Sequence, residues 1–194
     1  MNTFLLAFIP LFVAIDVFGV LPTFSSLTER LEAKERSRVA LKSCFVSLLL
    51  GLLFVVFGNA IFIFLGITQF DFMVGGGILL FLISVSDILG ADLEGRRVAG
   101  DELAIVPLAM PLILGPASIT TLILLSSQFS KSWAILSLVS NILLVYGVFL
   151  LSGRIQKFLG KGTNLAIGKI ASLFLMAIAV MMVRKGIYGI LAGS

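Results

Sequence analysis

The chain contains no histidine and only one cysteine, and these two shortages exclude several kinds of chemistry. Histidine is the side chain that most often exchanges protons near neutral pH, so acid-base catalysis of that kind is excluded. A single cysteine cannot form a disulfide within the chain, and metal sites built from cysteine and histidine are excluded as well. Cys44 is interpreted as an apolar filler in a helix, and we predict no metal site and no cofactor.

Charged residues are also scarce, at 12% of 194 residues, whereas 59% of the residues are hydrophobic. The mean hydropathy of the chain is +1.18. A water-soluble domain of this size has no core large enough to bury so many hydrophobic residues. The lipid bilayer must therefore be the solvent. The basic residues gather between apolar runs as loop residues do, so the pI near 9.5 indicates membrane topology and not nucleic-acid binding.

Six apolar stretches meet or approach the length of about 20 residues that a helix needs to cross the hydrocarbon. No stretch is left for a soluble domain. We therefore predict an all-α polytopic membrane protein with a single membrane domain, residues 1–194. The predicted spans are 4–27, 43–67, 72–89, 103–125, 133–151 and 165–183.

The basic residues alternate between the predicted loops. Loop two has none and loop four has only Lys131, whereas the other three loops are rich in them. Basic loops stay in the cytoplasm, which predicts a multi-pass protein of the cell (inner) membrane with both termini outside. Arg184 and Lys185, near the outer C-terminus, argue mildly against this orientation. The bases of loops one, three and five are Arg30, Lys34, Arg36, Arg38, Lys42, Arg96, Arg97, Arg154, Lys157 and Lys161.

The second half of the sequence aligns with the first at a shift of about 93 to 97 residues. The aligned pairs include Pro10 with Pro107, Gly66 with Gly160, and Gly75 with Gly168. We predict two three-helix repeats, 1–97 and 98–194. An odd number of spans in each repeat inverts the second copy across the membrane, which is a common transporter architecture. The alternative is mere compositional similarity.

Residues that weaken helices lie near the middle of the first and fourth predicted spans. They are Asp16, Gly19, Pro22, Pro107, Pro111, Gly115 and Pro116. Proline removes a backbone donor and glycine lowers helix propensity, so both spans are predicted to be broken near the midplane. Breaks at matching positions of two halves point to a transporter binding site. The alternative is that the prolines only bend the helices for packing.

Asp16 is the most informative polar residue within these spans. A carboxyl group at that depth costs about 2.5 to 3.5 kcal/mol or more, so it should face a cavity or a partner. It could bind a cation or an ammonium group, or carry a proton. Ser84, Ser86 and Asp87 could extend a polar path toward the cytoplasm, and the glycine run at 75–77 most simply lets helices approach closely.

Three stretches resemble the MarC/SnatA family of bacterial and archaeal membrane proteins, and the resemblance covers nearly the whole chain. They are residues 12–24 (FVAIDVFGVLPTF), 75–83 (GGGILLFLI) and 104–121 (AIVPLAMPLILGPASITT). Family members often have Asp-Pro-x-Gly at positions 16–19, where this chain has valine at position 17. The resemblance implies six spans and two outside termini. For the characterised amino-acid transporter branch it implies transport of small neutral amino acids such as glycine and alanine.

These observations together predict a secondary transporter whose two halves rock about a site between the broken spans. Amides at the start of a helix, at residues 117–119, would hold the substrate carboxylate. Asp16 and nearby carbonyls would hold the ammonium group, and Val20 and Leu114 would limit side-chain size. The predicted substrate-binding residues are Asp16, Phe18, Gly19, Val20, Leu114, Gly115, Pro116, Ala117, Ser118 and Ile119.

Other functions stay open at this stage. The chain could export another small metabolite, or it could be a structural or regulatory membrane subunit that transports nothing. An intramembrane aspartyl protease would need Asp16 to face Asp87, and no motif around Asp87 supports that role, so no enzyme is predicted. The sequence selects neither a proton nor Na⁺ as the coupling ion, and it leaves the oligomeric state open, a homo-oligomer included.

Overall fold

The computed structural model describes residues 3–28, 31–58, 60–89, 100–159 and 161–193, except the side chains at 18, 87, 100, 101, 153–159, 161–168, 171 and 193. The predictions about the side chains of Phe18 and Asp87, and about the bases at 30, 96, 97, 154, 157 and 161, lie outside this description. The helices are α1 Thr3–Ile15, α2 Val17–Leu27, α3 Ala33–Phe57, α4 Ala60–Leu65, α5 Gln69–Leu89, α6 Gly100–Leu103, α7 Pro116–Gln128, α8 Lys131–Leu159 and α9 Lys161–Gly193. The described ranges contain no strand.

A π-helical segment, Ala104–Ile113, connects α6 to α7. It is interrupted at Val106 and Met110, where the backbone is extended and each residue precedes a cis proline. We call this segment and α7 the second bent pair, because an angle of 60° separates them. The first bent pair is α1 and α2, with an angle of 45° between Thr3–Ile15 and Gly19–Leu27.

Four helices, α3, α5, α8 and α9, are each long and apolar enough to cross a membrane. The number rises to as many as six if each bent pair counts as one span. The prediction of an all-helical membrane protein is therefore confirmed.

The boundaries of α3 differ from the predicted second span. This helix begins at Ala33, so Lys34 and Arg38 lie on a helix and not in a loop. Hydropathy marks only the part of a helix inside the hydrocarbon, whereas the helix continues into the headgroup region, where basic side chains are solvated. The helix ends at Phe57, ten residues earlier than predicted, because Gly58 turns the chain with φ at +56°.

Helices α5 and α9 pack against each other in antiparallel directions. At one end Gly186 lies against the backbone of Phe70, where an added Cβ would be 2.8 Å from the carbonyl oxygen. At the other end the Lys169 ammonium donates a hydrogen bond of 2.8 Å to the carbonyl of Ile88. The two helices are thus aligned along nearly their whole shared length.

Two glycines of the run in α5 lie in close contact with neighbouring segments. A Cβ at Gly76 would lie 3.3 Å from Cβ of Pro111 and 3.4 Å from Cε of Met182. A Cβ at Gly77 would lie 2.8 Å from the carbonyl oxygen of Ala179, so only a glycine permits this approach. A Cβ at Gly75 would meet open space. The predicted packing role therefore applies to Gly76 and Gly77 and not to Gly75.

Helices α3 and α8 are also antiparallel, because the Lys131 ammonium donates to the carbonyl of Val56 and Gly51 packs against Leu138 farther along. The first bent pair follows α8 in the same direction. Its α1 accepts a hydrogen bond of 2.9 Å at the Ala7 carbonyl from Ser137, and its α2 stacks Phe24 on Phe149 with ring centroids 3.9 Å apart. These contacts lie in the main apolar core.

Candidate functional site

The first break is a single residue, Asp16, whose backbone adopts the left-handed conformation with φ 51° and ψ 59°. Aspartate tolerates this conformation better than most residues, because its short side chain hydrogen-bonds locally. Oδ1 of Asp16 accepts a hydrogen bond of 3.2 Å from the Gly19 amide and so caps α2. A Cβ on Gly19 would collide with Oδ2, so glycine there makes room for the carboxylate.

Asp16 is exposed in the described chain. Oδ2 has no hydrogen-bond donor among the described residues, since the cap uses the other oxygen. The carboxylate is therefore held in place by one oxygen, and the second has no donor among the described residues.

The second break lies before α7. Gly115 is the N-cap residue in an extended conformation, Pro116 occupies the first turn, and no side chain caps the helix. Pro116 has no N–H, so the first two amides of this helix belong to Ala117 and Ser118. Neither amide has an acceptor among the described residues. Free amides at a helix N-terminus carry partial positive charge and favour an anion.

The prediction that the Ile119 amide also binds substrate needs correction. That amide donates a hydrogen bond of 3.0 Å to the Gly115 carbonyl, the ordinary bond of a helix that has already begun. The Ile119 side chain is buried in a small cluster with Phe54 and Phe62. Ile119 therefore positions α7, and the open donors are those of Ala117 and Ser118.

The Ser118 hydroxyl connects the two breaks. Its Oγ lies 3.1 Å from the carbonyl oxygen of Ala14 and 3.2 Å from that of Ile113, and the side chain is fully buried. A continuous helix would pair the Ala14 carbonyl with the amide four residues on, but the turn at Asp16 removes this bond. The hydroxyl thus lies within hydrogen-bond distance of one carbonyl beside each break, and its one proton is donated to either carbonyl or shared between them.

Val20 and Leu114 lie behind the two breaks. Both are buried in the main apolar core, at 3% and 0% exposure. Both side chains are packed against other core residues, and their role as apolar walls of a site stays a prediction. Two cavities of the described structure are lined by other residues, on α2, α5 and α9, and neither includes any of the ten predicted site residues.

Ala14 and Ile113 were not predicted beside the breaks, because only their backbone carbonyls contact the Ser118 hydroxyl. Ser118 was predicted for its amide, and the role of its hydroxyl was also missed. No sequence signal labels a free carbonyl, although a serine in the first turn after a glycine-proline break suggests a donor. Among the described residues, no group of three or more acidic, cysteine or histidine side chains could hold a metal ion.

Ser118→Ala should lower the free energy of unfolding by about 1 to 3 kcal/mol, since a buried carbonyl at Ile113 and a part-buried one at Ala14 lose their donor. The matched control is Ser127→Ala in the same helix, whose exposed hydroxyl bonds only to the Leu124 carbonyl. This control should change stability by less than about 0.5 kcal/mol. Chemical unfolding in detergent micelles measures both, and equal losses would contradict the bridging role of Ser118.

Comparison with known proteins places the chain in a family. The sequence model of a protein family, described as MarC family integral membrane protein, matches residues 1–191. A UPF0056 membrane protein of Methanocaldococcus jannaschii is 35% identical over 199 residues, which cover 97% of each chain. The UPF0056 inner membrane protein YhgN of Escherichia coli strain K12 is 34% identical over 194 residues, which cover 96% of this chain and 97% of the relative. No solved structure matches the chain. The chain is an integral membrane protein that belongs to the MarC family.

Proposed function

We propose that the chain is a secondary transporter of small neutral amino acids, of the glycine and alanine class, that works by alternating access. The observation that carries this proposal is the Ser118 hydroxyl bond between the two breaks. It brings the free amides at the start of α7 close to the backbone turn that carries Asp16. A zwitterion needs this combination of positive and negative groups.

Each end of an amino acid has a matching group at the breaks. The amides of Ala117 and Ser118 would bind the substrate carboxylate, as helix N-termini bind anions. Oδ2 of Asp16 would bind the ammonium group, because Oδ1 is already held by Gly19. Val20 and Leu114 would close the site against larger side chains.

We further propose that both bent pairs cross the membrane, which gives six spans. The chain between the antiparallel helices α5 and α9 contains the second bent pair and α8. If that pair returned to its starting side while α8 crossed, α9 would run parallel to α5. The first bent pair advances along α8 from Ser137 to Phe149, about 18 Å, which also favours a crossing.

The cross-contacts support two inverted repeats, 1–97 and 98–194. In one direction Ser137 of α8 donates to the Ala7 carbonyl of the first bent pair. In the other, Ser47 of α3 donates at 3.4 Å to the Ala109 carbonyl of the second bent pair. Each long helix thus holds the bent pair of the other half, as a two-fold relation requires. Rocking of such halves would expose the site to each side in turn.

In this proposal both termini lie on the outer side of the cell membrane. The coupling ion is a proton or Na⁺. A cysteine replacing exposed Lys34, in a Cys44→Ala background, should react with an impermeant thiol reagent only from the cytoplasm. A cysteine replacing exposed Ala192 should react only from outside. Labelling of both positions from one side would contradict six spans in two inverted halves.

Asp16→Asn tests the proposed role of charge in transport. Asparagine tolerates the left-handed conformation and caps helices as well as aspartate does, so the fold should be kept. Transport of alanine into proteoliposomes should fall by roughly tenfold or more, because a hydrogen bond to a charged group contributes about 1.5 to 3 kcal/mol.

The matched control for this test is Asp71→Asn. Asp71 is an exposed residue at the start of α5, and its carboxylate accepts hydrogen bonds from the amide and hydroxyl of Thr68. Its replacement should leave transport nearly unchanged. If Asp16→Asn transports alanine at the wild-type rate, Asp16 is only a structural cap. If the wild-type protein transports no alanine, its substrate is another metabolite or it is a subunit that transports nothing.

A further inference from the structure

A groove of about 530 Å³ lies between α5 and α9. This volume is within the range of about 300 to 1,000 Å³ that is usual for small-molecule sites. Five of its lining residues are apolar, and the polar atoms come from one arginine and one tyrosine. The lining residues are Ile78, Phe81, Val180, Val183, Arg184, Ile187 and Tyr188.

Arg184 and the adjacent Lys185 are both exposed. Neither makes an ion pair or hydrogen bond with another residue in the described part of the chain. The only acid near the start of α5, Asp71, already binds the amide and hydroxyl of Thr68. Arg184 thus lines an apolar groove, and Lys185 follows it on α9 without lining the groove; neither has an acidic partner among the described residues.

The depth of these charges follows from the packing of α9 on α5. Gly189 lies against the ring of Phe70, one residue after α5 begins. Arg184 precedes Gly189 by five residues, which places it about 7 to 8 Å deeper along the helix. Basic side chains at such a depth extend toward the lipid phosphates, with their methylene groups along apolar surface.

We propose that this groove binds an anionic phospholipid. An acyl chain lies along Ile78, Phe81 and Val180, the phosphate is bound by Arg184, and the exposed Lys185 next to it adds positive charge. A free phosphate would leave the apolar lining uncovered, whereas a lipid satisfies both the charge and the apolar surface. The site also explains two bases at an end of the protein where the alternation of loop charge predicts few. It does not depend on the proposed transport activity.

The test uses the purified full-length protein in neutral detergent. Its unfolding temperature is measured against added phosphatidylglycerol, phosphatidylcholine with the same acyl chains, and glycerol phosphate. We expect saturable stabilisation by phosphatidylglycerol and much less by the other two. Arg184→Gln with Lys185→Gln should raise the half-maximal lipid concentration roughly tenfold or more. Val180→Phe, which narrows the groove and keeps both charges, should also weaken binding.

Two control variants keep this test decisive. Lys34→Gln with Lys131→Gln removes the same charge from exposed positions elsewhere and should bind lipid like the wild type. Arg184→Lys with Lys185→Arg keeps the charge and should restore binding if the glutamine variant folds poorly.

Four outcomes would overturn the lipid site. Equal stabilisation by phosphatidylcholine would mean that no headgroup is selected, and equal stabilisation by glycerol phosphate would indicate a phosphate site without a lipid chain. Unchanged lipid affinity in the double glutamine variant would remove the assigned residues. Native mass spectrometry could show that the wild type is a dimer without bound lipid and that Val180→Phe is not a dimer. The groove would then be an interface between two copies of the chain.

Discussion

The buried hydrogen bond of the Ser118 hydroxyl is the interaction on which the centre of this structure depends. In a bilayer no water is available to a backbone group that loses its helix partner, and each such group costs several kcal/mol. Both bent pairs expose a carbonyl at their breaks, at Ala14 and Ile113. A single buried hydroxyl serves both, so the two breaks must lie side by side. Next to them lie two amides and one carboxylate oxygen that have no partner among the described residues, and these are the groups of the proposed site.

Asp16 combines a structural role with a proposed binding role. The resemblance to relatives with Asp-Pro-x-Gly suggests that proline often fixes this turn, since proline is favoured in the first turn of a helix. Here Val17 occupies that position and is buried, and the break is kept by the left-handed backbone of Asp16 and its bond to Gly19. The cap uses only one oxygen, so it fixes the carboxylate and leaves the second oxygen without a donor among the described residues.

Much of the fold was predictable because hydrophobic length and helix-breaking residues are visible in the sequence. The all-helical chain with four to six candidate membrane spans was predicted in this way, whereas the functional breaks in the first and fourth spans stay a prediction. The predicted start of the second span differs from the start of α3, because the backbone hydrogen bonds of a helix continue beyond the hydrocarbon. At the site, the sequence shows which side chains are present but not which backbone carbonyls lack a helix partner. The hydrogen bond from Ser118 to the Ala14 carbonyl could therefore not be predicted.

The central claim is that the two breaks together bind a zwitterion, and a series of ligands tests it most directly. Binding of alanine, alaninamide and propionate to the purified protein can be compared by the shift in unfolding temperature that each produces. Alaninamide lacks the carboxylate that the α7 amides would bind, and propionate lacks the ammonium group that Asp16 would bind. The account predicts a shift with alanine and little or none with the other two. An equal shift with either analogue would contradict it.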